Sequence, residues 1–137
     1  MKDKKAYYLE RTAATIAALI LLQTLYFKFT AHPDSVYIFT KIGGEPYLRI
    51  VSGFVELLIG VLLLFRKTSH VGALLGFVLM LGAIGQHLFV LGINVNNDGG
   101  TLFALAITTL VCCAIVLGAR KRDFREIYKR KSRNEVT

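Results

Sequence analysis

The chain has 137 residues, 54% of them hydrophobic, and its mean hydropathy is +0.52. The apolar residues form long blocks, a pattern that excludes an ordinary soluble domain. The net charge is +8, but the basic residues flank the apolar blocks and do not spread over a folded surface, which argues against a nucleic-acid-binding protein. The composition therefore predicts a single domain embedded in a membrane.

Four stretches are long and apolar enough to cross a hydrocarbon core of roughly 30 Å. The predicted spans cover about residues 12–29, 48–65, 71–93 and 102–119. The first follows Lys2, Lys4 and Lys5, as in a signal peptide, but its apolar stretch is too long for one. We expect an all-α, four-helix transmembrane domain over residues 1–119 and a basic tail over residues 120–137.

The loop after the first span contains a second helical signal. His32-Pro33-Asp34 is typical of a helix start, with proline at the first helical position, and Gly43-Gly44 is typical of a helix end. The residues between are partly apolar. The pattern predicts a short interfacial helix from Asp34 to Ile42 on the outer rim of the bundle.

The distribution of basic residues predicts the orientation. Residues 66–70, between the second and third spans, are basic, whereas residues 94–100, between the third and fourth, contain no Lys or Arg. With both termini in the cytoplasm, 14 of the 17 basic residues lie on the cytoplasmic side, as the positive-inside rule requires. We therefore expect a multi-pass protein with cytoplasmic N- and C-termini.

The basic tail carries Phe124, Ile127 and Tyr128 at helical spacing. Two interpretations remain open. The tail is either an amphipathic helix that binds anionic lipids of the inner leaflet, or a frayed basic end that only fixes the orientation.

The sequence contains no convincing metal or thiol motif. Cys112 and Cys113 are adjacent, so a disulfide between them would be strained, and they form no zinc pattern. His87 has no second histidine four residues later. We interpret the cysteines as small apolar residues of the fourth span and predict no metal site.

Polar side chains inside the spans are the candidate site residues, because each ionisable one costs about 2.5 to 3.5 kcal/mol at the centre of a membrane helix. They are Gln23, Lys28, Arg49, Glu56, Gln86 and His87. At a rise of about 1.5 Å per residue, Glu56 lies roughly 12 Å and His87 roughly 9 Å below the outer surface. The pattern places the polar residues in the outer half of the bundle and predicts an apolar cytoplasmic half.

Helical spacing indicates which of these residues face the bundle. On the second span a 4-3-4 pattern places four residues on one face: Arg49, Gly53, Glu56 and Gly60. The third span has a comparable stripe of Gly72, Gly76, Ala83 and His87. We predict a contact between Glu56 and His87, with Arg49 and Lys28 above it. A site for a proton, quinone or other small molecule and a purely structural hydrogen bond both remain open.

Several of these segments resemble the DoxX-like family of small bacterial four-helix membrane proteins. They are Phe27-Lys28-Phe29, Phe39, and residues 47–57, 72–76, 80–83 and 87–89, within a likeness that covers about residues 12–119. The resemblance implies that Lys28, Arg49, Glu56 and His87 are the characteristic polar positions. It also implies a bacterial cytoplasmic membrane.

The DoxX-like family is named for a subunit associated with thiosulfate:quinone oxidoreductase, and its relatives are linked to membrane redox complexes. The resemblance favours a small subunit or accessory of a membrane redox system, with a partner subunit and a quinone or other small hydrophobic ligand. The CxxC of some four-helix thiol oxidoreductases is missing, which argues against thiol–disulfide chemistry. A non-enzymatic assembly protein is the alternative and a small transporter the third class. Whether the chain is itself an enzyme is left open.

Overall fold

The computed structural model describes residues 2–136, and side chains from Lys4 onward. Every regular element in these residues is helical. In chain order they are α1 (Lys2–Phe29), α2 (Pro33–Ile42), α3 (Tyr47–Leu64), α4 (Ser69–Gln86), a π-helical turn (His87–Leu91) that continues α4, and α5 (Thr101–Glu135).

Four of the helices are long and apolar enough to cross a membrane: α1, α3, α4 with its π-helical turn, and α5. The prediction of an all-α four-span bundle is therefore confirmed. Two helices extend well past their predicted spans. Helix α1 begins at Lys2, and α5 runs through the basic tail to Glu135 without a break.

Helix α1 packs mainly against α3 and α5, and α4 packs against the same two helices. Thus α1 and α4 lie diagonally opposite one another. The short connections give the bundle two ends. We call the end with residues 2–11, the loop 65–68 and the start of the tail the terminal end, and the end with α2 and the loop 92–100 the loop end.

Small residues bring the helices close together. Four alanines of α1, at positions 13, 14, 17 and 18, are buried against Ile59 and Leu63 of α3 and Val116 of α5. The predicted face of α3 is confirmed, since Arg49, Gly53, Glu56 and Gly60 are all buried. On α4, Gly72 and Gly76 are buried as well.

The backbones of α3 and α4 approach closely near the terminal end. A Cβ atom placed on Gly72 would lie 2.9 Å from the backbone nitrogen of Leu63. At Gly76 it would lie 2.9 Å from Sγ of Cys113 in α5. Glycine at these positions therefore allows α4 to pack against both neighbours.

The short helix α2 forms where the sequence predicts it, one residue earlier. His32 caps its start, since Nδ1 accepts a hydrogen bond from the backbone N–H of Asp34 (3.3 Å), and Pro33 occupies the first turn. Gly43 ends the helix in the left-handed conformation (φ 85°), which a residue without Cβ adopts readily. Helix α2 packs against α1, α3 and the π-helical turn at the loop end.

Candidate functional site

Glu56 is a buried carboxylate of α3 that is neutralised by α1. It forms an ion pair with the ammonium of Lys28 and accepts a hydrogen bond from the Thr24 hydroxyl (2.5 Å). Thr24 and Lys28 are four residues apart and therefore lie on one face of α1. We call Thr24, Lys28, Glu56, Arg49 and Glu45 the loop-end cluster.

Arg49 lies about two helical turns further toward the loop end. Its guanidinium pairs with the Glu45 carboxylate at 2.9 Å and also donates to the backbone carbonyl of Lys28. That carbonyl belongs to the last turn of α1, where carbonyl oxygens have no partner within the helix. Arg49 thus ties the end of α1 to α3.

Helix α2 covers the loop-end cluster from above. The Lys28 ammonium lies 5.6 Å from the centre of the Phe39 ring, a cation–π contact. Next to it, Phe29 and Phe54 pack at 5.2 Å between ring centres. Gly53 leaves the room for this pair, because a Cβ there would lie 2.9 Å from the Phe29 ring. One aromatic ring therefore contacts the charged pair directly, and an aromatic pair packs between the same two helices, α1 and α3.

His87 is buried but has other partners than the predicted one. Its Nδ1 lies 3.0 Å from the carbonyl oxygen of Gly92, and its ring packs edge-on against Phe103 at 5.5 Å. The π-helical turn begins at His87 and changes the direction in which the following residues point. The predicted contact with Glu56 does not form, since the hydrogen-bond partners of Glu56 come from α1.

The two glutamines face outward. Gln23 of α1 and Gln86 of α4 are both exposed, on helices that lie diagonally opposite one another. Of the six predicted site residues, the structure thus brings three together, Lys28, Arg49 and Glu56. His87 lies apart from them within the bundle, and the two glutamines lie on its surface.

A second charged cluster, which the sequence did not predict, occupies the terminal end at the edge of the predicted spans, and their apolar core lies between it and the loop-end cluster. Glu10 is only 2% exposed. Its carboxylate accepts from the Ser69 hydroxyl (2.7 Å) and pairs with Arg11, whose guanidinium also donates to the backbone carbonyl of Leu64 (3.1 Å). Arg11 therefore satisfies a carbonyl at the end of α3 while it neutralises Glu10.

Sequence reasoning missed this second cluster, although a signal for it exists. Glu10 lies three, four and seven residues before Ala13, Ala14 and Ala17, which places it on the small-residue face of α1. The same face continues to Leu21, Thr24 and Lys28. One face of α1 therefore carries a charged group at each end and only small or apolar residues between.

Asp98 organises the loop before α5. Its carboxylate accepts from the backbone N–H groups of Val95 (3.0 Å), Gly100 (2.8 Å) and Leu102 (2.9 Å). Partial burial alone would raise the pKa of Asp98, but these three hydrogen bonds together lower the pKa below its ordinary value. The side chain thus acts as an anionic cap for α5.

Within residues 2–136, no group of three or more His, Cys, Asp and Glu side chains is arranged to hold a metal ion. Cys112 and Cys113 are free thiols buried in the span, and Cys113 lies in the small-residue core. Both clusters therefore consist of charged and hydroxyl side chains, without a thiol.

Comparison of the chain with protein-family models, with curated proteins and with solved structures finds no match. The inference about function therefore starts from the two clusters and their surroundings.

Proposed function

We propose that this chain is a small DoxX-like subunit or accessory of a membrane redox system, and that the Glu56–Lys28 pair of its loop-end cluster binds a quinone or a similar small hydrophobic ligand. The observation that carries the proposal is the ion pair between Glu56 and Lys28, buried inside a membrane bundle. Intramembrane charges are costly and therefore typical of functional positions. The redox role itself follows from the resemblance over residues 12–119.

The chemistry of the cluster suits a quinone headgroup. An ammonium such as that of Lys28 donates to a quinone carbonyl, and a carboxylate such as that of Glu56 accepts from a quinol hydroxyl. The rings of Phe29, Phe39 and Phe54 offer apolar surface to a flat ring. A ligand bound here would displace Phe39 from Lys28, so binding would couple to α2.

The test uses protein purified in detergent and decylubiquinone as the probe, with binding measured by calorimetry. We expect Glu56→Gln to weaken binding roughly tenfold or more, because loss of one charge-assisted hydrogen bond costs about 1.5 to 3 kcal/mol. Glu45→Gln is the matched control. It changes a carboxylate of the same cluster that pairs with Arg49, and we expect binding within about twofold of the unchanged protein.

Thermal unfolding of both variants shows whether each is folded. The proposal is wrong if the unchanged protein does not bind decylubiquinone. It is also wrong if folded Glu56→Gln binds as tightly as the Glu45→Gln control.

A structural role is the second candidate, and one observation favours it. Each charged group of the loop-end cluster already has a partner within the protein, as expected where polar side chains hold membrane helices together. Equal loss of folded protein in Glu56→Leu and His87→Leu, together with no decylubiquinone binding, would support this alternative over the ligand site.

The proposed location is a bacterial cytoplasmic membrane with the terminal end in the cytoplasm. This orientation is supported by charge, since 14 of the 17 basic residues lie at the terminal end. A transporter is disfavoured, because a buried apolar layer separates the two charged clusters.

A further inference from the structure

A groove opens at the terminal end, between the loop that joins α3 to α4 and the first turns of the tail. It encloses about 490 Å³. Three basic residues line it, Arg66, Lys67 and Arg120, and so do three residues of the tail, Asp123, Phe124 and Ile127. The groove shares no residue with the loop-end cluster.

The basic groups of the groove are weakly satisfied by the protein. Arg66 reaches Asp123 only at 3.5 Å, and both side chains are partly exposed, so this pair contributes little stability. The Nε of Arg120 is shielded from solvent and has no hydrogen-bond partner in the described part of the chain. Arg120 thus lines the groove while the protein leaves its hydrogen-bonding capacity partly unused. The groove therefore offers charged donors to an anion.

The groove also offers apolar surface beside these donors. Phe124 is 59% and Ile127 64% exposed, on the first two turns of the tail. The Arg120 guanidinium lies 6.0 Å from the centre of the Phe124 ring, so charge and apolar surface are adjacent. The groove therefore offers a ligand charged donors with an apolar wall beside them.

The position of the groove relative to a bilayer identifies the ligand class. Arg66 follows Phe65 at the end of the apolar part of α3, and Arg120 follows the apolar part of α5. Both lie at the boundary of the hydrocarbon layer. At about 1.5 Å per residue, Ile127 lies only roughly 10 Å beyond Arg120, whereas the basic residues from Lys129 onward lie further from the membrane along the continuous helix. The headgroup layer on each side of a bilayer is about 5 to 7 Å thick. The basic residues of the groove therefore lie at the level of the headgroups, and Ile127 lies near the outer edge of this layer.

We propose that this groove binds the headgroup of an anionic phospholipid of the bilayer, with Arg66, Lys67 and Arg120 at the phosphate, Phe124 and Ile127 on the water-facing side of the headgroup, and the acyl chains extending into the bilayer. The site is a defined groove at the start of the tail. The distal basic residues of α5 do not take part. This inference is independent of the proposed quinone site.

The test measures the thermal unfolding of the full chain in neutral detergent with added dioleoylphosphatidylglycerol. We expect this lipid to raise the unfolding temperature, because it binds only the folded protein. Dioleoylphosphatidylcholine and inorganic phosphate, which lack the net charge or the acyl chains, are expected to have little effect. Native mass spectrometry counts the phosphatidylglycerol molecules retained.

Two pairs of variants with the same change in charge locate the site. Each basic residue near an anionic surface contributes about fivefold in affinity, so Arg66→Gln/Arg120→Gln is expected to raise the half-saturating lipid concentration about 25-fold. Lys129→Gln/Arg130→Gln removes the same charge from the distal tail and is expected to change it by less than about twofold. If the first variant does not fold, Arg66→Gln/Lys67→Gln replaces it, because this variant retains the favourable charge interaction between Arg120 and Glu10.

Three outcomes would overturn the proposal. One is equal weakening by the groove and distal variants, which would indicate a general attraction to the basic tail. Another is stabilisation by phosphatidylcholine or inorganic phosphate as strong as that by phosphatidylglycerol. The third is no effect of phosphatidylglycerol at all, as expected if the groove accepts an acidic protein.

Discussion

Glu56 and Glu10 are both carboxylates buried in the bundle, and they are neutralised in the same way at opposite ends. Each pairs with one cation and accepts one hydroxyl hydrogen bond, from Thr24 to Glu56 and from Ser69 to Glu10. A cation in each cluster also donates to a carbonyl at a helix end. Replacing one member of a buried ion pair leaves the other charge without a partner, so we expect substitutions at these positions to lower the stability of the fold.

Asp98 gives a prediction about pH dependence. Its folded-state pKa is lower than its ordinary value, so its stabilisation is fully present above the ordinary pKa and is lost as the pH falls through the folded-state pKa. We expect Asp98→Asn to unfold at a lower temperature at pH 7, at a cost of about 1 kcal/mol, because the amide loses the charge and one of the two oxygens that accept backbone hydrogen bonds. The variant should also lose less stability than the unchanged protein between pH 5 and pH 3.

Thermal unfolding followed by circular dichroism across this pH range measures both effects. Parallel pH profiles for the two proteins would show that Asp98 is not an anionic cap in the folded state.

Three of the six residues predicted from the sequence lie together in the candidate site: Lys28, Arg49 and Glu56. Helical spacing on α3 predicts that Arg49 and Glu56 face the bundle. This prediction was possible because helical spacing alone places both residues on the same face as Gly53 and Gly60. The partner of Glu56 was not predictable in this way. It depends on the relative rotation of α1 and α3, and His87, the other candidate partner, contacts the carbonyl oxygen of Gly92 instead.

At the scale of elements, glycines set how closely α4 packs against its neighbours. Gly72→Ala is expected to destabilise the bundle by about 1 to 3 kcal/mol, the usual cost of overpacking, because the backbone of Leu63 is the obstacle and has little room to shift. Gly82→Ala is the matched control on the same helix. Nothing lies within 4 Å of a Cβ at Gly82, so we expect no loss, or a gain of up to about 1 kcal/mol from helix propensity.

Thermal unfolding of the two alanine variants in the same detergent makes this comparison. Similar stabilities would show that α3 and α4 do not approach as closely as the structure indicates.

The ends of a helix were predictable where proline or glycine marks them. Gly43 and Pro33 bound α2 because their backbone preferences are local. The length of α5 was not predictable, since the apolar pattern ends near Ala119 although the helix continues through polar residues to Glu135. Helix-forming residues are also common in frayed tails, so hydropathy could not distinguish the two interpretations.

At the scale of the whole molecule, the two charged clusters are separated by an apolar layer. Ala14, Ala17 and Leu21 of α1 lie between them and are at most 2% exposed. On this face of α1, about three helical turns without a charged side chain therefore separate the two clusters. This arrangement suits a protein that meets one ligand at each end and disfavours a continuous proton path.

Cysteine labelling tests the central claim of four spans with both ends on one side most directly. A membrane-impermeant maleimide is applied to intact cells that carry single exposed cysteines. We predict that Thr40→Cys and Asn97→Cys react from outside, whereas Lys67→Cys and Lys129→Cys react only after the membrane is opened. The unchanged protein is the control, since Cys112 and Cys113 are buried. The proposed orientation would be contradicted if Lys129→Cys but not Asn97→Cys reacted in intact cells. The four-span topology would be contradicted if Asn97→Cys and Lys129→Cys reacted from the same side.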